Sequence, residues 1–248
     1  MLIIALRCII VILSFIGLMF SINLIFENKN KLKMLAVLIS IISIVGLQST
    51  KNVFYYMQIS HYYHHEDYTN MKKCIHKALN TSSIPPLFNT EKAMYYNELI
   101  DIAQIEKNGR DLIKYYELNL PFLNVSKNKY ACNELFLLYL YNEDFDKAMN
   151  LVKSKYKSGI YPFNIVKFYA IQGNYNAALV ELYNIEHYDF EYQKIFRKVL
   201  EAATQGKFID VDIYKRLTGT DKAYSSINNF KEYYQKETEK NKLKYHLI

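Results

Sequence analysis

Residues 173–185 read GNYNAALVELYNI, and this short stretch decides the fold. Gly173 and Asn174 interrupt the helix before them, because glycine reaches backbone conformations closed to other residues and a Gly-Asn pair marks a turn. Tyr175 opens a new run, with a small residue three places on (Ala178) and an apolar one four places further (Leu182). That spacing puts all three on one helical face. Working outward, EDFDKAMNLVKSKY at 143–156 repeats the order with Phe145, Ala148 and Val152. EDYTNMKKCIHKAL, starting at 66, repeats it with Tyr68, Ile75 and Ala78, but has Met71 in the small-residue place. NGRDLIKYYEL from 108 and GKFIDVDIYKRL from 206 are degenerate copies.

Counted from 66, 109, 143, 173 and 206, these breakers recur at intervals of 43, 34, 30 and 33. Three of the four intervals lie near the period of stacked helix-turn-helix units. Other breakers are Pro85-Pro86, Pro121, Gly159 with Pro162, and Gly219. Between them the pattern is helical: in 190–205, Tyr192, Phe196, Val199 and Ala203 recur at four, three and four, with Ile195 alongside. No run alternates with a period of two, so strands are not expected. Only 7 Gly and 4 Pro in 248 residues also argue against a many-turned β fold.

The repeated residues resemble the tetratricopeptide repeat, in which helix A ends in a Gly-Asp/Asn-Tyr-like turn and helix B carries a small residue three places after the aromatic. The alanine lets helix B pack closely on helix A, and the aromatic wedges the turn. The resemblance covers roughly 52–217 and is strongest over 130–185. It implies a solenoid whose concave face is lined by the A helices and binds a protein or peptide partner. On this alignment the partner-binding residues are Tyr130, Asn133, Leu137 and Tyr141 in one repeat, and Phe163 and Lys167 in the next. Tyr130, Asn133, Tyr141 and Lys167 are expected to be partly exposed, with Tyr139, Ala148 and Ala178 buried. The paired Lys and Asn that some members use to clamp a terminal carboxylate are not evident. The alternative, that these side chains only pack, stays open at this point.

The amino-terminal part reads differently. Residues 8–26, CIIVILSFIGLMFSINLIF, carry no charge, and neither do residues 34–50, MLAVLISIISIVGLQST, between Lys33 and Lys51. Each suggests a membrane span, and Phe54, Tyr55 and Tyr56 suit an interfacial belt. No basic leader or small-x-small site marks the first run for cleavage. Ser14, Gly17 and Ser21, facing Ser40, Ser43 and Gly46, would let two such helices approach closely, although small residues are also common in membrane spans. The three lysines of the connecting loop weakly favour an extracytoplasmic solenoid in the cell membrane.

Net charge is +7, of which +4 falls in residues 1–51 and +3 in the remainder. The larger part is nearly balanced, so no nucleic-acid footprint is expected. Three cysteines exclude a disulfide scaffold, and Cys74 and Cys132 read as buried structural thiols. Phosphate loop, G-x-S-x-G, CxxC and dinucleotide fingerprints are all absent, so the chain does not read as an enzyme and no cofactor is expected. Lys153, Lys155 and Lys157 read as a solvated helix face. Asp210 and Asp212 read as a cap and a first-turn charge. His61, His64 and His65 lie within one turn, with Glu66 following. His61 and His65, with Glu66 or His76, form an incomplete metal-ligand set at most.

The expected fold is therefore all-α. A transmembrane helical hairpin over 1–51 precedes an α-solenoid of about five TPR-like repeats over 52–219, with a capping helix and frayed basic tail over 220–248. The expected role is a membrane-anchored scaffold that holds a protein partner at the bilayer, with assembly of an envelope complex as its setting. The competing expectation is a metal-binding membrane enzyme or transporter accessory subunit that uses the His61–Glu66 cluster.

Overall fold

The computed structural model describes residues 2–25, 30–47, 49–81, 89–123, 129–185, 191–211 and 220–247. Every regular element among them is helical. The hairpin loop 26–29, Pro85-Pro86, Asp212 and Gly219 lie outside the described residues. The chain divides into two compact units, residues 1–102 and 103–248.

The first unit holds α1 (Leu2–Ile25), α2 (Asn30–Leu47), α3 (Ser49–His64), α4 (Tyr68–Asn80) and most of α5 (Asn89–Ile105). Helices α1 and α2 pack against each other along their small residues. The Ser40 hydroxyl donates to Ser21 Oγ at 2.8 Å. A Cβ on Gly17 would lie 2.6 Å from Ser43 Oγ. The contacts advance along α1 as they retreat along α2, so the pair is antiparallel. Ser14, Ser21 and Ser43 are buried, whereas Ile12, Phe15, Ile16, Ile41 and Ile42 face outward.

The two-span anchor expected over 1–51 is corrected by this structure. Among the described residues no helix is long and apolar enough to cross a membrane. Lys31 and Lys33 take the first turn of α2 and leave 14 of its 18 residues charge-free. At about 1.5 Å per residue, those reach about 21 Å, short of a hydrocarbon core of about 30 Å. Arg7 interrupts α1, and Asn23 sits in its last turn. A membrane hairpin needs both arms. The integral, multi-pass cell-membrane assignment, the extracytoplasmic lean and the bilayer-bound role are withdrawn with it.

All five breaker sites are helix ends of one kind. Glu66, Lys107, Glu143, Gly173 and Gly206 have φ of 55°, 53°, 59°, 72° and 71°. The next residue donates its N–H to a carbonyl five positions back: Asp67 to Tyr62, Asn108 to Ala103, Asp144 to Tyr139, Asn174 to Tyr169 and Lys207 to Ala202, at 2.9–3.0 Å. This bond satisfies a carbonyl that the ending helix would leave unpaired. At the first four sites the same Asp or Asn then caps the next helix through its side chain. One residue thus closes one helix and opens another, which fixes the sharp reversal. The fifth site differs. Lys207 has no capping oxygen, and residues 207–211 form no helix. Asp210, expected as a cap, lies exposed in that irregular segment.

The second unit holds α6 (Gly109–Asn119), α7 (Lys129–Tyr141), α8 (Phe145–Lys153), α9 (Pro162–Ile171), α10 (Tyr175–Tyr183), α11 (Glu191–Thr204), α12 (Thr220–Ala223) and α13 (Ile227–Tyr245). Helix α7 packs on α6 and α8, α9 packs on α10, and α10 packs on α11. Ala148 and Ala178 are fully buried where the B helices meet their partners, and Tyr139 is buried too. The core runs through Val166, Ala178, Leu182, Phe196, Leu200 and Phe230. Helix α8 stops at Lys153, and Ser154 caps a 3-10 turn over Lys155–Gly159, so Lys155 and Lys157 do not share a helix with Lys153.

Candidate partner-binding groove

The six residues expected to line a groove separate into four groups. Leu137 and Tyr141 near the end of α7, and Lys167 on α9, border one small cavity of about 60 Å³. Its other wall is α13, through Tyr233, Tyr234 and Glu237. Tyr130 sits in the first turn of α7 and is 60% exposed. Phe163 points instead to the core edge, with its ring centroid 5.4 Å from that of Tyr192 and 5.6 Å from that of Tyr224.

Asn133 departs from expectation. It is 3% exposed, and its Oδ1 accepts from the Tyr161 N–H at 3.1 Å and from Asn164 Nδ2 at 2.9 Å. Tyr161 is the N-cap of α9 and has no side-chain acceptor of its own. Asn133 therefore ties α7 to the start of α9 by taking the backbone N–H of the residue that precedes that helix and the side-chain amide of its first turn.

Helix α13 lies over the α7–α9 face. The Tyr234 hydroxyl donates to the Leu140 carbonyl at 3.0 Å, and burial pushes its pKa up to about 12. Lys242 Nζ pairs with Glu143 at 3.0 Å. Beneath the helix, burial pulls the Lys167 ammonium below the usual lysine range, and Glu237 partly offsets that shift. Lys167 Nζ also stands 5.4 Å from the centre of the Phe163 ring. The face is thus apolar at Leu137, aromatic at Tyr141 and cationic at Lys167. It can receive a helix that presents apolar surface and a carboxylate. Sequence reading places Tyr234 on the inner side of the last helix. Asn164, Tyr233 and Glu237 carried no comparable signal, because their role depends on where α13 crosses α9.

The histidine cluster is exposed at the end of α3. His65 Nδ1 lies 2.8 Å from the His61 carbonyl of its own helix, and the two rings sit 4.2 Å apart, centre to centre. Glu66 occupies the left-handed turn position that follows. Among the described residues, no group of three or more His, Cys, Asp or Glu side chains converges to hold a metal. Cys74 and Cys132 are buried, and burial pushes both thiols up, away from the reactive thiolate.

Comparison with protein-family models, curated proteins and solved structures finds no match for this chain.

Proposed function

We propose that the chain is a helical-repeat scaffold of tetratricopeptide type, and that the α7–α9 face binds a helical segment of a partner protein. The observation that carries this reading is that the same face already receives a helix, α13, through Leu137, Tyr141 and Lys167. The repeat assignment is supported by four turns built alike, each with a left-handed residue followed by an Asp or Asn cap. The reading assigns no catalytic residue and no cofactor.

The test is site-specific photocrosslinking in cells, with the photoreactive side chain placed at Leu137 in one strain and at Lys153 on exposed α8 in another. A single protein captured in stoichiometric yield from position 137, and absent from position 153, supports the groove. Equal capture at both positions, or none at 137, overturns it.

A further inference from the structure

Helix α13 has two unlike halves. Its start belongs to the core: Ile227 and Phe230 are 4% and 1% exposed, and the Phe230 ring centroid lies 4.8 Å from that of Phe196. From Lys231 onward the sequence is KEYYQKETEKNKLKYHLI, and Thr238 alone among the described residues of that stretch is fully buried. Leu243, its one aliphatic residue within the helix, is turned out to solvent. Tyr233 packs at the core edge, its ring centroid 6.1 Å from that of Tyr224, and beyond it this half is held by a few point contacts. Tyr234 bonds to the Leu140 carbonyl, and Lys242 pairs with Glu143. At the far end, the Leu247 side chain and the Tyr245 carbonyl rest directly on Gly109, where a Cβ would collide with both.

A permanent cap would bury an apolar stripe along its whole length. A segment with few buried apolar contacts opens locally at far lower cost than the core to which it is joined. We infer that residues 231–247 are a latch that covers the α7–α9 face at rest and lifts when a partner helix enters. The same contacts define that partner: an amphipathic helix with adjacent aromatic residues followed, three or four places on, by a carboxylate. In this chain those places are filled by Tyr233, Tyr234 and Glu237, with Glu237 beside Lys167. The inference rests on the groove reading above and adds its regulation and its ligand. A latch closed 99% of the time would weaken apparent binding about a hundredfold, since only the open fraction binds.

The experiment uses the full chain, Gly109→Ala and Leu247→Ser variants, and a fluorescent synthetic peptide spanning residues 229–247. In the native chain, amides of 231–245 are expected to exchange with solvent at least tenfold faster than those of α11. Both variants should speed them further while α11 stays protected, which also verifies that the fold survives. The peptide should bind each variant at least tenfold more tightly than the native chain. Exchange of 231–245 in step with α11 would overturn the latch. Equal peptide binding to native and variant chains would overturn it too, while leaving the groove as a helix-binding site. Fast exchange without peptide binding to either variant would overturn the partner chemistry and, with it, the groove reading.

Discussion

Asn133 on α7 closes the start of α9: its Oδ1 lies 3.1 Å from the Tyr161 backbone nitrogen and 2.9 Å from Asn164 Nδ2. A residue expected to greet a partner instead joins one repeat to the next. The change Asn133→Ala should cost about 1–2 kcal/mol, because it removes two hydrogen bonds made by a buried amide at the α7–α9 junction. Urea unfolding measures this. Tyr130→Ala, at an exposed position of the same helix, should stay within about ±0.5 kcal/mol. Equal effects from the two would refute the linking role.

Ala178 is fully buried among Val166, Ala170 and Leu182. Replacing it with leucine inserts methylene groups into a filled contact, which costs about 1–3 kcal/mol. Ala177→Leu, one position away and only partly buried, should cost clearly less. Thermal unfolding of the pair separates a packing effect from a change in helix propensity.

Gly173 stands at φ 72°, with no atom within 4 Å of where a Cβ would sit. Steric contact therefore plays no part there, and Gly173→Ala isolates the backbone preference, about 1–2 kcal/mol against the left-handed region. Lys107 adopts the same conformation without being glycine. Lys107→Gly should raise stability, by less than about 1 kcal/mol, because the greater freedom of glycine in the unfolded chain opposes the relief.

Tyr234 makes the attachment of α13 sensitive to alkaline pH. Burial raises its pKa to about 12, above the unfolded value near 10. A group whose folded pKa is raised contributes its stabilisation fully below the unfolded pKa and loses it as pH rises through the folded one. The Tyr234–Leu140 contribution should therefore be intact below about pH 10 and lost by about pH 12. Phenolate absorbance should show one fewer late-titrating tyrosine in Tyr234→Phe. An unchanged titration would refute the assignment.

Most of the helical architecture was legible in local sequence. A turn of the type at Gly173 is written in three or four adjacent residues: a left-handed position, an Asp or Asn that caps, and a small residue on the following helix. Such signals act over one helical turn, so periodicity recovers them. The buried face of α11, with Ile195, Phe196, Val199 and Ala203, was readable for the same reason. The degenerate copy at 206 keeps the left-handed turn but lacks the cap, because Lys207 cannot supply the oxygen that Asn174 or Asp144 supplies, and residues 207–211 are not helical. The apolar runs near the amino terminus were legible as two close-packed helices with Gly17 and Ser43 at the seam. Reading them as spans carried the second run to residue 50, whereas α2 extends only to Leu47 and keeps 14 residues beyond Lys33.

Sequence alone determined the helices, their ends and the alanines at which they close, because hydrophobic period and cap chemistry are local. Tertiary structure alone decided the site. Asn133 and Tyr141 sit on the same helix two turns apart, and no local rule separates a linking amide from a groove-lining ring. The difference comes from α9 bringing Tyr161 to the first, and α13 returning to lay Tyr234, 94 residues on from Leu140, beside the second. Contacts between distant segments depend on where whole helices cross, and that geometry is set by the packed core rather than by any one stretch of chain.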